Sequence, residues 1–227
     1  MSRVFLTGDT HGKIDIRKLN STEFPTGKDL TKDDFLIILG DFGLVWDGSD
    51  EEKYWQKWLN DKPWTTLFLA GNHENFDLLK TYSTINHPKL GNVRKISDSI
   101  YQLLDGHMYE INGKSFFVMG GATSIDKEWR TPGKSWWAEE IPSWEILDAG
   151  IKTLELHGNE ADYILTHCAP SKVVESLGYQ TDILTDYLDE IEIQTNYLMW
   201  FCGHYHIDKE SDDGRFIILY DAIIELI

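Results

Sequence analysis

Several apolar runs in this sequence end in side chains that bind metal ions. These side chains are Asp9, His11, Asp41, Asn72, His167, His204 and His206. An isolated His-x-His pair such as His204 and His206 is more often part of an ordinary turn, so the argument depends on the whole set. Carboxylate, amide and imidazole groups together suit divalent ions such as manganese, iron and zinc. The set therefore predicts a metal site where these runs end.

The segments that carry these side chains predict parallel strands. Residues 3–9, 35–41 and 65–72 are apolar runs, and polar stretches of helical character such as 50–60 lie between them. Parallel strands joined in this way place their carboxyl ends along one rim, where ligands usually bind. We therefore expect the ligand-type side chains to meet at that rim.

The spacing within the set predicts two metal ions. Side chains at i and i+2 of an extended segment point to the same side, so Asp9 can act with His11, and His204 with His206. Two ions sharing one ligand can hold a hydroxide between them. Asp41 is the expected bridge because it is the lone carboxylate that ends the neighbouring strand. One histidine of the pair 204 and 206 would then serve each ion.

The second half of the chain predicts a further, partly antiparallel sheet. Asn112-Gly113 suits a type I′ turn within a hairpin at 108–121. The remaining assignments are a long loop at 122–143, helices at 143–158 and 181–193, strands at 162–170 and 197–204, and a strand-rich tail at 214–227. The expected fold class is α/β with two sheets. We expect one domain over residues 1–227, with a loop insertion at about 122–143.

Composition and charge exclude several classes of protein. The chain has 227 residues, enough for a sizeable core, and a formal net charge of −17. This charge argues against duplex nucleic acid as a partner, because such affinity comes from neutralising phosphates. No apolar run approaches the roughly 20 residues of a membrane span. With two cysteines and no signal peptide, no disulfide is indicated, and the expected location is cytoplasmic.

Five short motifs resemble, in order, the blocks of the calcineurin-like metallophosphoesterase superfamily. They are GDTHG (8–12), GDFG (40–43), GNHE (71–74), THCAP (166–170) and GHYH (203–206). The resemblance implies a two-sheet β-sandwich flanked by helices, a four-layer α/β/β/α fold, with a dinuclear centre at its rim. It implies Asp9, His11 and His206 on the first metal and Asn72, His167 and His204 on the second, bridged by Asp41. His73 matches the histidine that acts near the leaving group.

The sequence departs from the protein phosphatases of that superfamily. They continue the second block with an Asp and an Arg, where this chain has Leu44 and Val45, and they place an Arg before GNH, where it has Ala70. Two phosphate-binding arginines and the acidic partner of the histidine are therefore missing. This difference argues against protein phosphatase activity. Asp47 and Glu74 are alternative residues that could orient His73.

The predicted function is hydrolysis of a phosphomonoester or phosphodiester. A hydroxide bridging the two ions would attack phosphorus, and His73 would donate a proton to the leaving group. We expect Mn²⁺ first, with Fe, Zn or Ni as alternatives, and a small phosphorylated substrate such as a nucleotide. One alternative is a nuclease acting on nucleic-acid ends. Another is a catalytically silent scaffold. The sequence does not predict an oligomeric state.

The loop at 122–143 is the candidate substrate-binding element. Lys127, Arg130 and Lys134 could bind phosphate in place of the missing arginines, and Trp136 could stack on a nucleobase, as could Trp129 and Trp137. The alternative is that these tryptophans pack the loop onto the body of the protein. Long loops in compact domains are often functional, so both interpretations stay open.

Overall fold

The computed structural model describes residues 2–226, and within them the chain forms thirteen strands and five α-helices. The strands are β1 (Val4–Thr7), β2 (Phe35–Ile38), β3 (Thr65–Phe68), β4 (Thr84–His87), β5 (Gly91–Lys95), β6 (Ile100–Leu103), β7 (His107–Ile111), β8 (Lys114–Met119), β9 (Glu160–Thr166), β10 (Asn196–Cys202), β11 (Lys209–Glu210), β12 (Phe216–Ile218) and β13 (Ile223–Glu225). The helices are α1 (Asp50–Asn60), α2 (Phe76–Leu79), α3 (Trp144–Leu156), α4 (Ser171–Ser176) and α5 (Ile183–Gln194).

The strands form two mixed sheets. The first has the order β13-β1-β2-β3-β6-β5-β4, and the second has the order β11-β12-β10-β9-β8-β7. In the first sheet β1, β2, β3 and β6 are parallel, and in the second β12, β10, β9 and β8 are parallel. The carboxyl ends of each parallel set therefore lie along one edge of its sheet.

Side chains that alternate along each strand divide the core into three layers. Leu6 and Ile37 point between the two sheets, where they share a cluster with Phe116 of the second sheet. The outer face of the first sheet carries Phe5, Leu36 and Ile38, which share a cluster with Leu59 of α1. The outer face of the second sheet packs against α3, α4 and α5. Because successive side chains of a strand point to opposite faces of its sheet, both faces of each sheet are covered, and the fold is the α/β/β/α sandwich that the resemblance implied.

Most of the elements predicted from the sequence are present. Helix 50–60 is α1, whose N-cap Ser49 accepts a hydrogen bond from Glu52 N at 3.2 Å. The hairpin is β7 and β8, and Asn112 and Gly113 both have the positive φ that a type I′ turn requires. Residues 122–143 contain only short 3-10 turns and one isolated bridge.

The prediction missed the strands β4, β5 and β6, and the first sheet is therefore partly antiparallel as well. β4 alternates between exposed and half-buried residues, and β5 carries Asn92, Arg94 and Lys95, so neither is an apolar run. Both lie at one end of the sheet, where β4 is the edge strand. None of the helices within residues 2–226 is long and apolar enough to cross a membrane.

Candidate metal centre and adjoining cleft

The ends of five strands bring the predicted ligands together. Two groups of side chains each place their ligand atoms within 4.8 Å of one another. The first group is Asp9, His11, Asp41 and His206, and the second is Asp41, His167 and His204. Asn72 joins the second group, because its Oδ1 lies 3.2 Å from His167 Nε2. The seven predicted residues therefore form one cluster, and Asp41 belongs to both halves of it.

The two aspartates are buried and hold their positions through backbone donors. Asp41 Oδ1 accepts a hydrogen bond from His73 N at 2.8 Å, and Asp9 Oδ1 accepts one from His204 N at 3.0 Å. Asp9 Oδ2 is buried and has no hydrogen-bond partner, although His206 Nε2 lies 3.1 Å away. A buried carboxylate oxygen without a donor is costly unless a cation binds it. This oxygen is the strongest local sign that the cluster holds metal.

His11 and His167 are both oriented by a partner on the nitrogen that faces away from the cluster. His11 Nδ1 is 2.7 Å from Asp15 Oδ2, and His167 Nδ1 is 2.7 Å from Leu39 O. Each partner accepts the Nδ1 proton, so Nε2 of each ring, which lies 3.2 Å from a carboxylate oxygen of Asp41 in both cases, is the nitrogen that faces the cluster. Metal-binding histidines are usually fixed in this way. Asp15 was missed in the sequence because its role depends on the turn that follows β1.

Four residues of the cluster have left-handed backbone conformations. His11, Asp41, His204 and His206 have φ values of 41°, 47°, 70° and 52°. Non-glycine residues rarely adopt this region, and such strain collects at functional sites. The expected i and i+2 geometry of an extended segment therefore does not apply at 9–11 or 204–206. Tight turns, instead of strand alternation, aim these side chains at the common site.

Glycines beside the ligands make room for them. A Cβ on Gly40 would lie 2.1 Å from His167 Nδ1, and a Cβ on Gly71 would lie 2.1 Å from Asp41 Oδ1. Either contact is far shorter than a van der Waals contact, so any larger residue would displace a ligand. The glycines of these motifs are thus required by the packing of the cluster itself.

The ionisation of the cluster also fits a divalent cation. Burial lowers the pKa of His11, but the hydrogen bond and charge of Asp41 raise it overall to about 9. His167 follows the same pattern and also reaches a pKa of about 9. Burial and the neighbouring His167 lower the pKa of His204 to about 4, which leaves a neutral nitrogen free to bind. The buried carboxylates therefore require positive charge nearby, which a bound cation supplies as well as imidazole protons do.

A half-buried lysine, Lys18, which the sequence analysis missed, supports the first group. Lys18 Nζ donates to the carbonyl oxygens of Gly8 at 3.1 Å, of Asp9 at 2.7 Å, and of Tyr220. The ring of Tyr220 stacks on His206, with ring centres 4.8 Å apart. Lys18 thus links the turn after β1 to the ring that supports His206. No local sequence motif marks it, because its partners are backbone atoms from distant parts of the chain.

His73 lies beside the cluster and pairs with the loop at 122–143. Its Nε2 is 3.1 Å from Arg130 Nη2. A guanidinium can only donate, so Nε2 accepts and the neutral ring carries its proton on Nδ1. Burial and the charge of Arg130 lower the pKa of His73, although Asp41 opposes them. Within residues 2–226 neither Asp47 nor Glu74 forms a hydrogen bond to the His73 ring; Glu74 Oε1 instead accepts from Phe42 N at 2.7 Å.

The other candidate residues of the loop lie in different surroundings. Lys127 and Lys134 are exposed, and Lys127 Nζ is 5.8 Å from the centre of the half-buried Trp136 ring. Trp129 is 90% exposed. Trp137 is buried, donates from Nε1 to Asp77 Oδ2 at 2.9 Å and packs edge-on against Trp46. Trp137 therefore fastens the loop to the body of the protein and is not available for stacking on a base.

Two cavities adjoin the centre. The large cleft, about 860 Å³, is lined by metal-site residues, by 122–128 and Arg130 of the loop, and by 178–182. The small pocket, about 400 Å³, is lined by residues 11–14 and by Gly43, Leu44, Trp46, Asp47, Ser49, Glu51, Glu52 and Trp55. Lys127 lines the large cleft, whereas Lys134 and Trp136 line neither cavity. His73 lines both.

The comparisons with known proteins agree with this architecture. Residues 2–208 match the calcineurin-like phosphoesterase family. No curated protein sequence matches the chain.

Three solved structures are similar in fold. A putative 5′-nucleotidase from Staphylococcus aureus is 16% identical with a TM-score of 0.51, and the match covers 98% of this chain and 50% of that one. GAP50, described as the anchor in the inner membrane complex of Plasmodium, is 12% identical with a TM-score of 0.52, covering 96% and 71%. The phosphopantetheinyl hydrolase PptH from Mycobacterium tuberculosis is 16% identical with a TM-score of 0.49, covering 97% and 90%. This chain thus spans half the length of the nucleotidase.

Proposed function

The chain belongs to the calcineurin-like phosphoesterase family, a family of metal-dependent hydrolases of phosphoric esters, and we propose that it hydrolyses a small phosphorylated molecule at the Asp41 cluster. The partnerless buried oxygen Asp9 Oδ2, at the centre of converging imidazoles, carries this proposal. Divalent ions bound there would lower the pKa of water and stabilise charge on the phosphoryl oxygens. Mn²⁺ is the ion we propose first, and the donor set also accepts Fe, Zn and Ni.

Different residues of the cluster would bind each of the two ions. Asp9, His11 and His206 would hold one ion and Asn72, His167 and His204 the other, with Asp41 shared. Asp15 and the Leu39 carbonyl keep two of the imidazoles in the tautomer that presents Nε2. Backbone donors fix both aspartates. These contacts fix the positions of the side chains that would bind the ions, which is what electrostatic catalysis requires.

Arg130 and His73 would act on the substrate. The guanidinium of Arg130 lies beside His73 at the large cleft and takes the place of the arginines missing after the second motif and before GNH. A phosphoryl group between these side chains would accept hydrogen bonds from Arg130. Its negative charge would raise the pKa of His73, which is lowered in the free protein. His73 could then carry a second proton and donate it to the leaving oxygen.

The test of the His73 role compares metal content with turnover. We expect His73→Ala to reduce kcat about 10²–10⁴-fold, most strongly for esters with poor leaving groups, with metal content unchanged. His157→Ala is the matched control, because His157 is exposed and, within residues 2–226, the one hydrogen bond of its ring is to Thr153 O of its own helix. Metal analysis and steady-state kinetics on 4-nitrophenyl and alkyl esters would be measured together. A parallel loss of metal and activity would show that His73 is a ligand.

The scaffold alternative has one specific observation in its favour, the fold shared with GAP50, which is described as an anchor. In this chain, however, all seven ligand positions and His73 are present and converge. A protein that binds two ions yet cleaves no phosphoric ester would favour the scaffold. A salt-dependent affinity for oligonucleotides would instead favour the nuclease.

A further inference from the structure

The small pocket and the large cleft meet at one residue. Among the residues that the structure describes, His73 alone lines both cavities. Asp41, Asn72, His204 and His206 face the large cleft, whereas His11 faces the small pocket. A phosphorus atom bound at the cluster beside His73 would therefore lie between the two cavities, with one on each side. A phosphomonoester has one organic substituent and could fill only one of them.

The walls of the small pocket suit an apolar or aromatic group. The apolar side chains that line it are those of Leu44, Ile14 and two tryptophans. Trp46 is held by an edge-on contact with Trp137, with ring centres 5.5 Å apart. Trp55 is half-buried and packs edge-on against Trp58, with ring centres 5.4 Å apart. Fixed indole rings offer a large contact area to another ring or an alkyl chain.

The charges around the small pocket disfavour an anionic group. Its one lysine, Lys13, forms an ion pair with Glu51 at 2.7 Å. Asp47 and Glu52 add negative charge, and hydrogen bonds from Ser49 lower the pKa of Asp47. A second phosphate or a carboxylate in this pocket would meet the like charge of Asp47 and Glu52; Arg17 does not line the pocket, and its guanidinium lies 5.8 Å from the centre of the Trp55 ring. The pocket thus selects an uncharged substituent.

The large cleft has a different character. It is about twice the volume of the small pocket, and polar side chains such as Ser124, Thr181 and Asp182 line it together with Arg130. Tyr179, which is 51% exposed, lies against Tyr205 there, with ring centres 5.6 Å apart. These groups can accept a larger substituent that carries hydrogen-bonding groups.

From these two cavities we infer that the substrate is a phosphodiester, with an uncharged apolar or aromatic substituent in the small pocket and a larger polar substituent in the large cleft. This inference rests on the proposed phosphoesterase function. In the reaction an oxygen of water bonds to phosphorus and one ester P–O bond breaks. The departing alcohol takes a proton, and the products are that alcohol and a phosphomonoester.

The experiment varies one substituent of a diester while the leaving group stays constant. The Mn²⁺-loaded protein is given phenyl 4-nitrophenyl phosphate, methyl 4-nitrophenyl phosphate and 4-nitrophenyl phosphate. We expect kcat/KM to be highest for the phenyl diester, about tenfold above the methyl diester, because only the phenyl compound fills both cavities. The monoester should be the poorest of the three. A monoester cleaved better than both diesters would overturn the inference and leave the proposed function intact.

Variants of the small pocket test where the phenyl group binds. Trp55→Ala should reduce the phenyl-to-methyl ratio of kcat/KM from about tenfold to about one. Ile14→Trp should do the same by filling the pocket, and it preserves the fold because Ile14 is 70% exposed. Lys57→Ala is the control, since Lys57 lies on the same helix, is exposed and does not line the pocket. An unchanged ratio in both pocket variants would overturn the inference.

A binding measurement makes the test independent of turnover. Diphenyl phosphate and phenyl phosphate are titrated into metal-free and Mn²⁺-loaded protein while tryptophan fluorescence is recorded. Tighter binding of diphenyl phosphate, lost in Trp55→Ala, would support the inference even if no ester were cleaved and the proposed function failed. Equal binding of the two compounds by the unsubstituted protein would contradict it.

Discussion

The two halves of the candidate metal centre share Asp41 but differ in their exposure to solvent. His167 is fully buried and Asn72 is 4% exposed, whereas the side chain of His206 is 50% exposed. In the buried half, the backbone carbonyl of Leu39 orients a ligand; in the exposed half, the side chain of Asp15 does so. One half is thus built into the sheets, and the other depends on surface turns. We expect the exposed half to exchange its ion more readily.

The largest effect should come from the residue that both halves share. Asp41→Asn removes a charge that both ions would need, and we expect kcat to fall by about a thousandfold or more, since the ions stabilise the transition state by several kcal/mol. Metal analysis should show fewer than two ions per chain. Asp221→Asn, an exposed carboxylate outside the cluster, should retain both ions. Retention of both ions in Asp41→Asn would contradict the shared role of Asp41.

Single ligands from the two halves should behave differently. His167→Ala should lose about 10²–10³-fold in kcat and about 1–3 kcal/mol of unfolding free energy, because it leaves the Leu39 carbonyl unpaired in the interior. His206→Ala should change the unfolding free energy by less than about 0.5 kcal/mol, because the side chain is half exposed. Kinetics and urea unfolding measure both quantities.

Added imidazole sharpens this contrast. It can reach the exposed position left by His206→Ala and should restore part of the activity, but it cannot reach the buried position left by His167→Ala. Excess Mn²⁺ should likewise help only the variant of the exposed half. Rescue of both variants to the same extent would refute the difference in exchange.

A smaller effect is expected from the residue that orients His11. Asp15 lies 2.7 Å from His11 Nδ1, so Asp15→Asn should weaken metal binding about 10-fold to 100-fold while both ligand sets remain. The loss should affect one ion of the two, which a metal titration followed by calorimetry would resolve. The buried half has no equivalent variant, because a carbonyl of the main chain orients His167. Equal weakening of both ions would contradict separate halves.

The sequence predicted which side chains meet at the site better than it predicted the geometry that aligns them. Asp, Asn and His at the ends of apolar runs were recognisable because buried parallel strands end along one rim. The turns at His11 and His204 could not be recognised from the sequence. Glycine often indicates a left-handed backbone conformation, but these two residues are histidines. Asp15 and Lys18 were missed because their partners come together only in the folded chain.

Contacts that form only in the folded chain also explain why the sequence analysis missed the strands β4 and β5 and did not distinguish two tryptophans. β4 and β5 are short and half exposed at one end of the sheet, so they lack the apolar pattern that revealed β1 to β3. Trp136 and Trp137 are adjacent and chemically identical, yet one is half-buried beside Lys127 and the other is buried against the body. Composition marks such a loop as aromatic, but only tertiary contacts decide which ring is free.

The smallest effect should appear at the opposite end of the ligand-bearing strands, where stability and activity separate. Asp34 precedes β2 and accepts hydrogen bonds from Arg3 N at 2.8 Å and from Thr31 N at 2.7 Å. Burial raises the pKa of Asp34, but these hydrogen bonds lower it overall below the ordinary value. A carboxyl with a lowered folded-state pKa stabilises the fold above its unfolded pKa of about 3.9 and loses that contribution as the pH falls through its folded pKa. We expect Asp34→Asn to lower the free energy of unfolding by about 1 kcal/mol at pH 7 and by less at pH 3. The value of kcat/KM at pH 7 should not change. Urea unfolding at both pH values checks this, with the exposed neighbour Asp33→Asn as the control. An equal cost at both pH values would mean that hydrogen-bond geometry, and not charge, ties the start of β1 to β2.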